Sequence, residues 1–306
     1  MSTLAAPTEE RRLFGIGLVL AAYLLLTGID SSAKWLALGG VSAVQIVFLR
    51  YAGHLALVVA INVPRNGLAL LRTASLGIQA LRAAMLLGAT ITNFIALRYL
   101  PLTVTGAISF TMPLILCALS VPLLGETVGW RRWTAIAVGF VGILIIVRPG
   151  TEAFHPAALL CLLGAVFAAF YFLLTRRMAG RDTAATQQFY AGLFATVVLL
   201  PVVIPFWSWP TEPSIWIACF TVGLFGFAGH QLLTVATSFA PVSVLAPFSY
   251  FQIIYFAALS WVLFDEPPDI WLYIGAPIII GSGLYIWLRE RRLHKATTAV
   301  VEPVRS

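Results

Sequence analysis

The sequence predicts an all-α membrane protein, with ten transmembrane helices in two inverted five-helix repeats and both termini in the cytoplasm. Three observations carry this. Of 306 residues, 60% are hydrophobic and 10% charged, with mean hydropathy +0.94. A soluble domain has about 45–50% apolar and about 25% charged residues, so a globule of this size has no interior able to hide the excess. The apolar residues also fall into ten runs of spanning length, and the second half of the chain repeats the punctuation of the first.

The runs, bounded by charge, Pro or Gly, are 13–36, 41–63, 76–98, 102–123, 130–147, 156–177, 184–205, 214–237, 242–264 and 270–289. A spanning helix takes about 20 residues. Ten of them leave room only for short loops and two tails. This excludes a large soluble domain on a membrane anchor, a secreted disulfide scaffold and a disordered chain. The stretch 156–205 is the least clearly divided. Met1 to Arg12 is short and polar and has no A-x-A-like cleavage site, which argues against a cleaved signal peptide.

The net charge of +7 invites a nucleic-acid reading, which the placement of the basic residues rejects. With the N-terminus inside, the inner segments hold Arg11, Arg12, Arg65, Arg72, Arg131, Arg132, Arg176, Arg177 and Arg181. The tail adds Arg289, Arg291, Arg292, Lys295 and Arg305. The outer segments hold only Lys34, Arg98 and Arg148, while Arg50 and Arg82 fall within spans. That asymmetry is the positive-inside signature of a membrane protein. Trp207 and Trp209, in an outer loop, suit an interfacial aromatic belt. Cys117, Cys161 and Cys219 lie in apolar stretches without CxxC spacing and read as small buried hydrophobes.

Residues 96–147 align without a gap on 236–287. Pro101 meets Pro241, Ser109 meets Ser249, Ala118-Leu119-Ser120 meets Ala258-Leu259-Ser260, and Glu126 meets Glu266. An odd number of helices per repeat makes the second copy cross the membrane in the opposite sense. Inverted repeats of this kind build many secondary transporters, with the substrate site near the midplane between them. The domain reading is a tail at 1–12, repeats at 13–150 and 151–292, and a tail at 293–306.

The stretch NFIALRYLPLTVTGAISFTMPLILCALSVPLLGE, followed by GFVGILIIVRPG, resembles the EamA-type branch of the drug/metabolite transporter superfamily. Arg50-Tyr51 is similar to that family's Arg-aromatic pair. APVSVLAPFSYFQIIYFAALSWVLFDEPPD, followed by IGSGLYIWLRERR, looks like the matching C-terminal half. The resemblance covers about residues 13–292. It implies a central cavity lined mainly by helices 1, 3, 4, 6, 8 and 9, and transport of small metabolites such as amino acids. Ile253 departs from the family pattern, where a Pro equivalent to Pro113 is frequent, and leaves bending of the ninth helix open.

Polar residues inside spans are costly and face protein or a wet cavity. Gln79, Arg82, Thr90 and Asn93 share a stripe on helix 3; His230 and Thr234, flanked by Gln231, share one on helix 8. Gly106, Ser109, Pro113 and Ser120 share a face of helix 4, with mates Ala246, Ser249, Ile253 and Ser260. Tyr23, Thr27, Asp30 and Lys34 line up on helix 1. The substrate-binding candidates are Thr90, Asn93, Phe94, Ser109, Phe110, Tyr171, His230, Gln231, Ser249 and Tyr250: hydrogen bonds and aromatic faces with little fixed charge. Helix packing is the competing reading for each Ser, Thr and aromatic residue. Asp30, Lys34, Arg50 and Arg82 are candidates for gating or coupling; Asp30 and Lys34 also have the spacing of a local helical ion pair. Glu126 and Glu266 each precede a helix, where a carboxylate favours the positive N-terminus. Gly139, Gly142, Gly275, Gly281 and Gly283 permit close backbone approach, either between helices 5 and 10 or in a homodimer.

These features point to a secondary transporter of small organic metabolites, with amino acids, including aromatic ones, and export as the first expectation. Uptake of riboflavin or of a nucleoside-like or sulfonium compound is the alternative. An intramembrane enzyme is disfavoured. Gly281-Ser282-Gly283 has no His following it in a span, and paired intramembrane Asp residues, HExxH and the Walker A pattern are absent. No cofactor or metal is implied; the partners are the substrate and the bilayer of a cell membrane, the inner membrane in a bacterium.

Overall fold

The computed structural model describes residues 9–124, 129–152, 154–178 and 180–301; within them the side chains of residues 66, 68, 120, 124, 132, 242, 243 and 290–301 are outside the description. The described residues are all-helical, joined by short turns. The helices are α1 (Glu9–Leu38), α2 (Ala43–Asn66), α3 (Leu76–Leu97), α4 (Leu102–Ser109), α5 (Met112–Leu124), α6 (Trp130–Val147), α7 (Ala157–Met178), α8 (Ala184–Val203), α9 (Pro213–Ala236), α10 (Val242–Leu245), α11 (Gln252–Phe264) and α12 (Ile270–Val301). Among the described residues, nine helical segments are long and apolar enough to cross a membrane. The fifth run, 130–147, forms α6, of which Trp133–Val147 counts as a shorter apolar helix among the described residues.

Local chemistry sets the boundaries. Ser42, Ser75 and Thr183 cap α2, α3 and α8, each side-chain oxygen accepting an N–H from the first turn. The uncertain stretch 156–205 divides cleanly between Met178 and Ala184, where Gly180 takes φ +76°. The last helix runs on to Val301, past the expected start of the tail.

Two expected helices are broken. The run 102–123 is split at Phe110-Thr111. Pro113 lacks the N–H that would bond Ser109, and its ring crowds that carbonyl, so α4 ends at Ser109. In the run 242–264 a 3₁₀ segment, Ala246–Phe251, lies between α10 and α11 and has Pro247 in its first turn. The ninth run therefore departs from α-geometry although Ile253 replaces the family's proline. The helix starts at 102, 112 and 130 recur at 242, 252 and 270.

The main packing partners always join a helix before residue 150 to one after it: α1 with α9, α3 with α7, α2 with α8, α4 with α11, and α6 with α12. The α6–α12 crossing explains the glycines. A Cβ on Gly142 would lie 2.9 Å from the Gly275 carbonyl oxygen, and one on Gly275 would lie 2.7 Å from that of Gly142. These two glycines serve packing within the chain, the first of the two roles open to them. The bundle's outside is apolar, with Val262, Ile217 and Phe220 largely exposed, as a lipid-facing surface requires. Cys117 and Cys161 are buried and Cys219 half-buried, as small apolar residues.

Candidate functional site

A cavity of about 180 Å³ lies among α2, α3, α7, α8 and α9. Its wall includes Arg50, Tyr51, His54, Arg82, Tyr171, Gln187 and His230. Exposed Ala184 and Thr234 place its mouth at the bundle end carrying Arg176, Arg177 and Arg181, here called the basic end.

Polar layers rise from that mouth. Arg82, 1% exposed, donates through Nε and Nη2 to Gln79 Oε1 at 3.2 and 3.0 Å, through Nη1 to Tyr171 Oη at 3.1 Å, and through Nη2 to the Gln187 carbonyl. Its guanidinium carbon also lies 5.1 Å from the centre of the Tyr171 ring. The His54 and His230 rings come next, 6.2 Å apart. Then Arg50 stacks on Tyr51 at 4.5 Å and donates to Thr90 Oγ1 at 3.2 Å, and the Tyr51 hydroxyl shares a 2.9 Å hydrogen bond with the same oxygen. Beside them Asn93 Nδ2 donates to Asp30 Oδ1 at 3.0 Å. Arg50 Nε and Asn93 Oδ1 are buried and have no hydrogen-bond partner among the described residues.

One turn further along α1, Lys34 closes the end opposite the mouth. Its ammonium donates to both carboxylate oxygens of Glu266 and to the Leu100 carbonyl at 3.0 Å. Ser260 Oγ completes the carboxylate's shell at 3.2 Å. This corrects two expectations. Lys34 pairs across the bundle and not with Asp30 four residues before it, and Glu266 is an ion-pair partner rather than only a helix N-terminal charge. The physical reason is that the buried face of α1 meets α3 and α11, which present Asn93 to Asp30 and bring Glu266 to Lys34. Glu126 lies outside the described residues.

Outside the membrane run, Asp182 clasps the start of α3. It accepts from Thr73 Oγ1, the Ala74 N–H and Gln79 Nε2 at 2.5, 2.8 and 2.7 Å. Partial burial raises its pKa, but these hydrogen bonds and the nearby Arg82 outweigh that and hold the carboxyl below its ordinary range.

A second cavity of about 280 Å³ lies on the other side of α7, walled by Pro113, Phe172, Ser249, Tyr250, Gly283 and Trp287 among others. The Phe110 and Tyr250 rings stack at 5.7 Å.

The structure thus gathers Arg50, Arg82, Tyr171 and His230 at the first cavity, with Thr90, Asn93 and Asp30 in contact behind it. Ser249 and Tyr250 line the second cavity, with Phe110 against Tyr250. Four candidates lie elsewhere or face away. Phe94, 2% exposed, packs in the core and lines neither cavity; a ring beside Thr90 and Asn93 on α3 turns towards the helix interface. Ser109 is exposed and bonds back to the Thr105 carbonyl, while Gln231 is half-buried and lines neither cavity. Lys34 lies in the closed end. Tyr51, His54, Gln187 and Glu266 are not among the binding, gating or coupling candidates read from the sequence. The four-residue spacing of Arg50 and His54, which puts both on one helix face, was the available signal for His54.

Comparison with known proteins agrees with this architecture. The model of the EamA-like transporter family matches residues 12–148 and 155–288. An S-adenosylmethionine uptake transporter of Rickettsia felis is 27% identical over 280 residues, covering 92% of this chain and 94% of that protein. A riboflavin transporter of Brucella anthropi is 28% identical over 284 residues, covering 89% and 98%. A pseudopaline exporter of Pseudomonas aeruginosa is 27% identical over 241 residues, covering 78% and 84%. A solved crystal structure superposes with TM-score 0.63 at 20% identity over 89% of this chain and 96% of that one, which shows a shared fold. The protein is a multi-pass membrane protein, and the chain belongs to the EamA-like transporter family of small-molecule carriers.

Proposed function

We propose that this protein is a secondary transporter that takes up a metabolite combining a flat heterocycle with a charged tail, the S-adenosylmethionine class. The observation that carries the reading is the first cavity, where an aromatic face, Tyr171, stands beside two guanidinium groups and two imidazoles. A ring stacks on the tyrosine, and a carboxylate meets arginine. Near-full-length relatives that take up S-adenosylmethionine support this over amino-acid export. Riboflavin, the cargo of other relatives, is the second reading, because its ring system suits the same wall. The protein moves its substrate without transforming it.

In this reading the ten helices form two inverted repeats at 13–150 and 151–292, between tails at 1–12 and 293–306. α4 with α5 counts as one span, and so does the stretch from α10 to α11. The recurrence of helix starts after 140 residues and the symmetric packing partners support the repeat. The basic bias supports cytoplasmic termini in a bacterial inner membrane, which puts the cavity mouth on the cytoplasmic side.

Purified protein in liposomes tests the cargo. Saturable accumulation of labelled S-adenosylmethionine is expected. Riboflavin accumulation alone would establish the second reading, and movement of aromatic amino acids alone would overturn both.

A further inference from the structure

We propose that Asp30, Arg50 and Asn93 form a subsite for a zwitterionic α-amino-acid group, the substrate's carboxylate resting on Arg50 and its ammonium on Asp30 and Asn93 Oδ1. The proposal rests on the transport reading above and specifies which end of the substrate is recognised there.

Asp30 is the only acidic residue inside the ten apolar runs. An unbalanced carboxylate there is costly, so it needs a cation. Arg50 is near enough to act on it electrostatically. Yet among the described residues no ion pair joins the two; the ion pairs are Lys34–Glu266 and Arg148–Asp269. Each charge is held back by its own partners. Arg50 is stacked on Tyr51 and bonded to Thr90, and Asp30 is bonded to Asn93 Nδ2. Opposite charges near one another but not paired offer a positive and a negative partner side by side, held through Thr90 and Asn93 one turn apart on α3. An α-amino-acid group carries its carboxylate and ammonium on one carbon and matches such a pair.

The orphan atoms agree in sign. Buried polar groups are nearly always hydrogen-bonded, so an unpartnered pair marks missing company. Arg50 Nε is a donor and Asn93 Oδ1 an acceptor. The bond from Nδ2 to the Asp30 carboxylate fixes the amide's orientation, so the orphan on Asn93 is its oxygen. The donor suits a carboxylate and the acceptor an ammonium. Arg50 and Tyr51 line the cavity, so the subsite adjoins the space where the ring would sit.

The test is competition against labelled S-adenosylmethionine in proteoliposomes, with one analogue lacking the carboxylate and another lacking the ammonium. Each is expected to compete about ten- to a hundredfold more weakly than the parent. In D30N the handicap of the ammonium-free analogue is expected to shrink, because only Asn93 Oδ1 remains to reward that charge. D30E, which keeps the charge, is expected to restore part of the discrimination and so separates recognition from misfolding. Competition by both analogues as strong as that of the parent in the unsubstituted protein would overturn the subsite and leave the transport reading standing. Absence of any S-adenosylmethionine uptake would overturn the transport reading and the subsite with it.

Discussion

Lys34 Nζ lies 2.6 and 2.5 Å from the two carboxylate oxygens of Glu266, a residue 232 positions later in the chain. The pair ties α1 to the α11–α12 connection, and the bond to Leu100 adds the α3–α4 turn. Three segments are thus fastened by one ammonium at the end opposite the cavity mouth.

The two partners are unequally exposed, 3% for the Lys34 side chain and 32% for that of Glu266, and this predicts an asymmetry. Removing one partner of a buried pair costs about 3–5 kcal/mol, because the other is left charged and alone. E266Q strands an ammonium out of reach of water and is expected to cost near that range. K34M leaves a carboxylate that water can solvate and is expected to cost about 1–2 kcal/mol. Thermal unfolding of the two variants in nanodiscs measures the order. A reversed order would mean that Lys34 finds another acceptor.

The α6–α12 crossing gives a second prediction. G275A would put a Cβ 2.5 Å from Ile146 Cγ1 and 2.7 Å from the Gly142 carbonyl, so backbone must move. Overpacking of this kind costs about 1–3 kcal/mol. G281A meets nothing within 4 Å and is expected to be silent. Melting temperatures of both variants check this, and a silent G275A would show that the two helices separate freely.

The spans were legible in the sequence because lipid demands long apolar runs, and a run of that kind needs no knowledge of its neighbours. The break at Phe110-Thr111 was foreshadowed by Pro113, a local steric cause. The break at 246–251 was legible only through Pro247, since its mate position holds Ile253. The site was legible in residue type but not in partnership. Asp30 and Lys34 have the spacing of a local pair, yet each finds its partner in a distant part of the chain. Contacts across 63 or 232 positions depend on how helices cross, and helical periodicity carries no information about that. Phe94 shows the same limit: on α3 beside polar neighbours, it nevertheless packs into the core.

Asp182 gives a pH prediction. Its carboxyl is held below the ordinary range by Thr73, the Ala74 N–H and Gln79. A depressed carboxyl contributes stability that is present above its unfolded pKa, about 3.9, and lost as pH falls through the folded value. The clasp on α3 is therefore expected to be unchanged from neutral pH down to about 4 and to loosen only below that. D182N is expected to lower the melting temperature at neutral pH and to remove this acid-dependent component. A wild-type clasp that loosened between pH 7 and 5 would contradict it. Melting curves of both proteins from pH 7 down to about 3 decide the matter.

Tyr171 offers Arg82 both its hydroxyl, at 3.1 Å, and its ring face, at 5.1 Å, so its two possible roles separate by substitution. If its ring is a stacking surface for substrate, Y171F keeps that surface and the cation–π contact and loses one hydrogen bond. KM for uptake is then expected to change by less than about threefold, because Arg82 keeps its bonds to Gln79 and the Gln187 carbonyl. Y171L removes the ring, and loss of aromatic stacking is worth about 1–3 kcal/mol, so KM is expected to rise about five- to a hundredfold with kcat less affected. If Tyr171 instead serves only to hold Arg82, the hydroxyl matters most, and both substitutions raise KM alike. Uptake kinetics of the two variants in proteoliposomes tell these apart, and equal defects would remove Tyr171 from the substrate's wall and assign it to positioning the arginine.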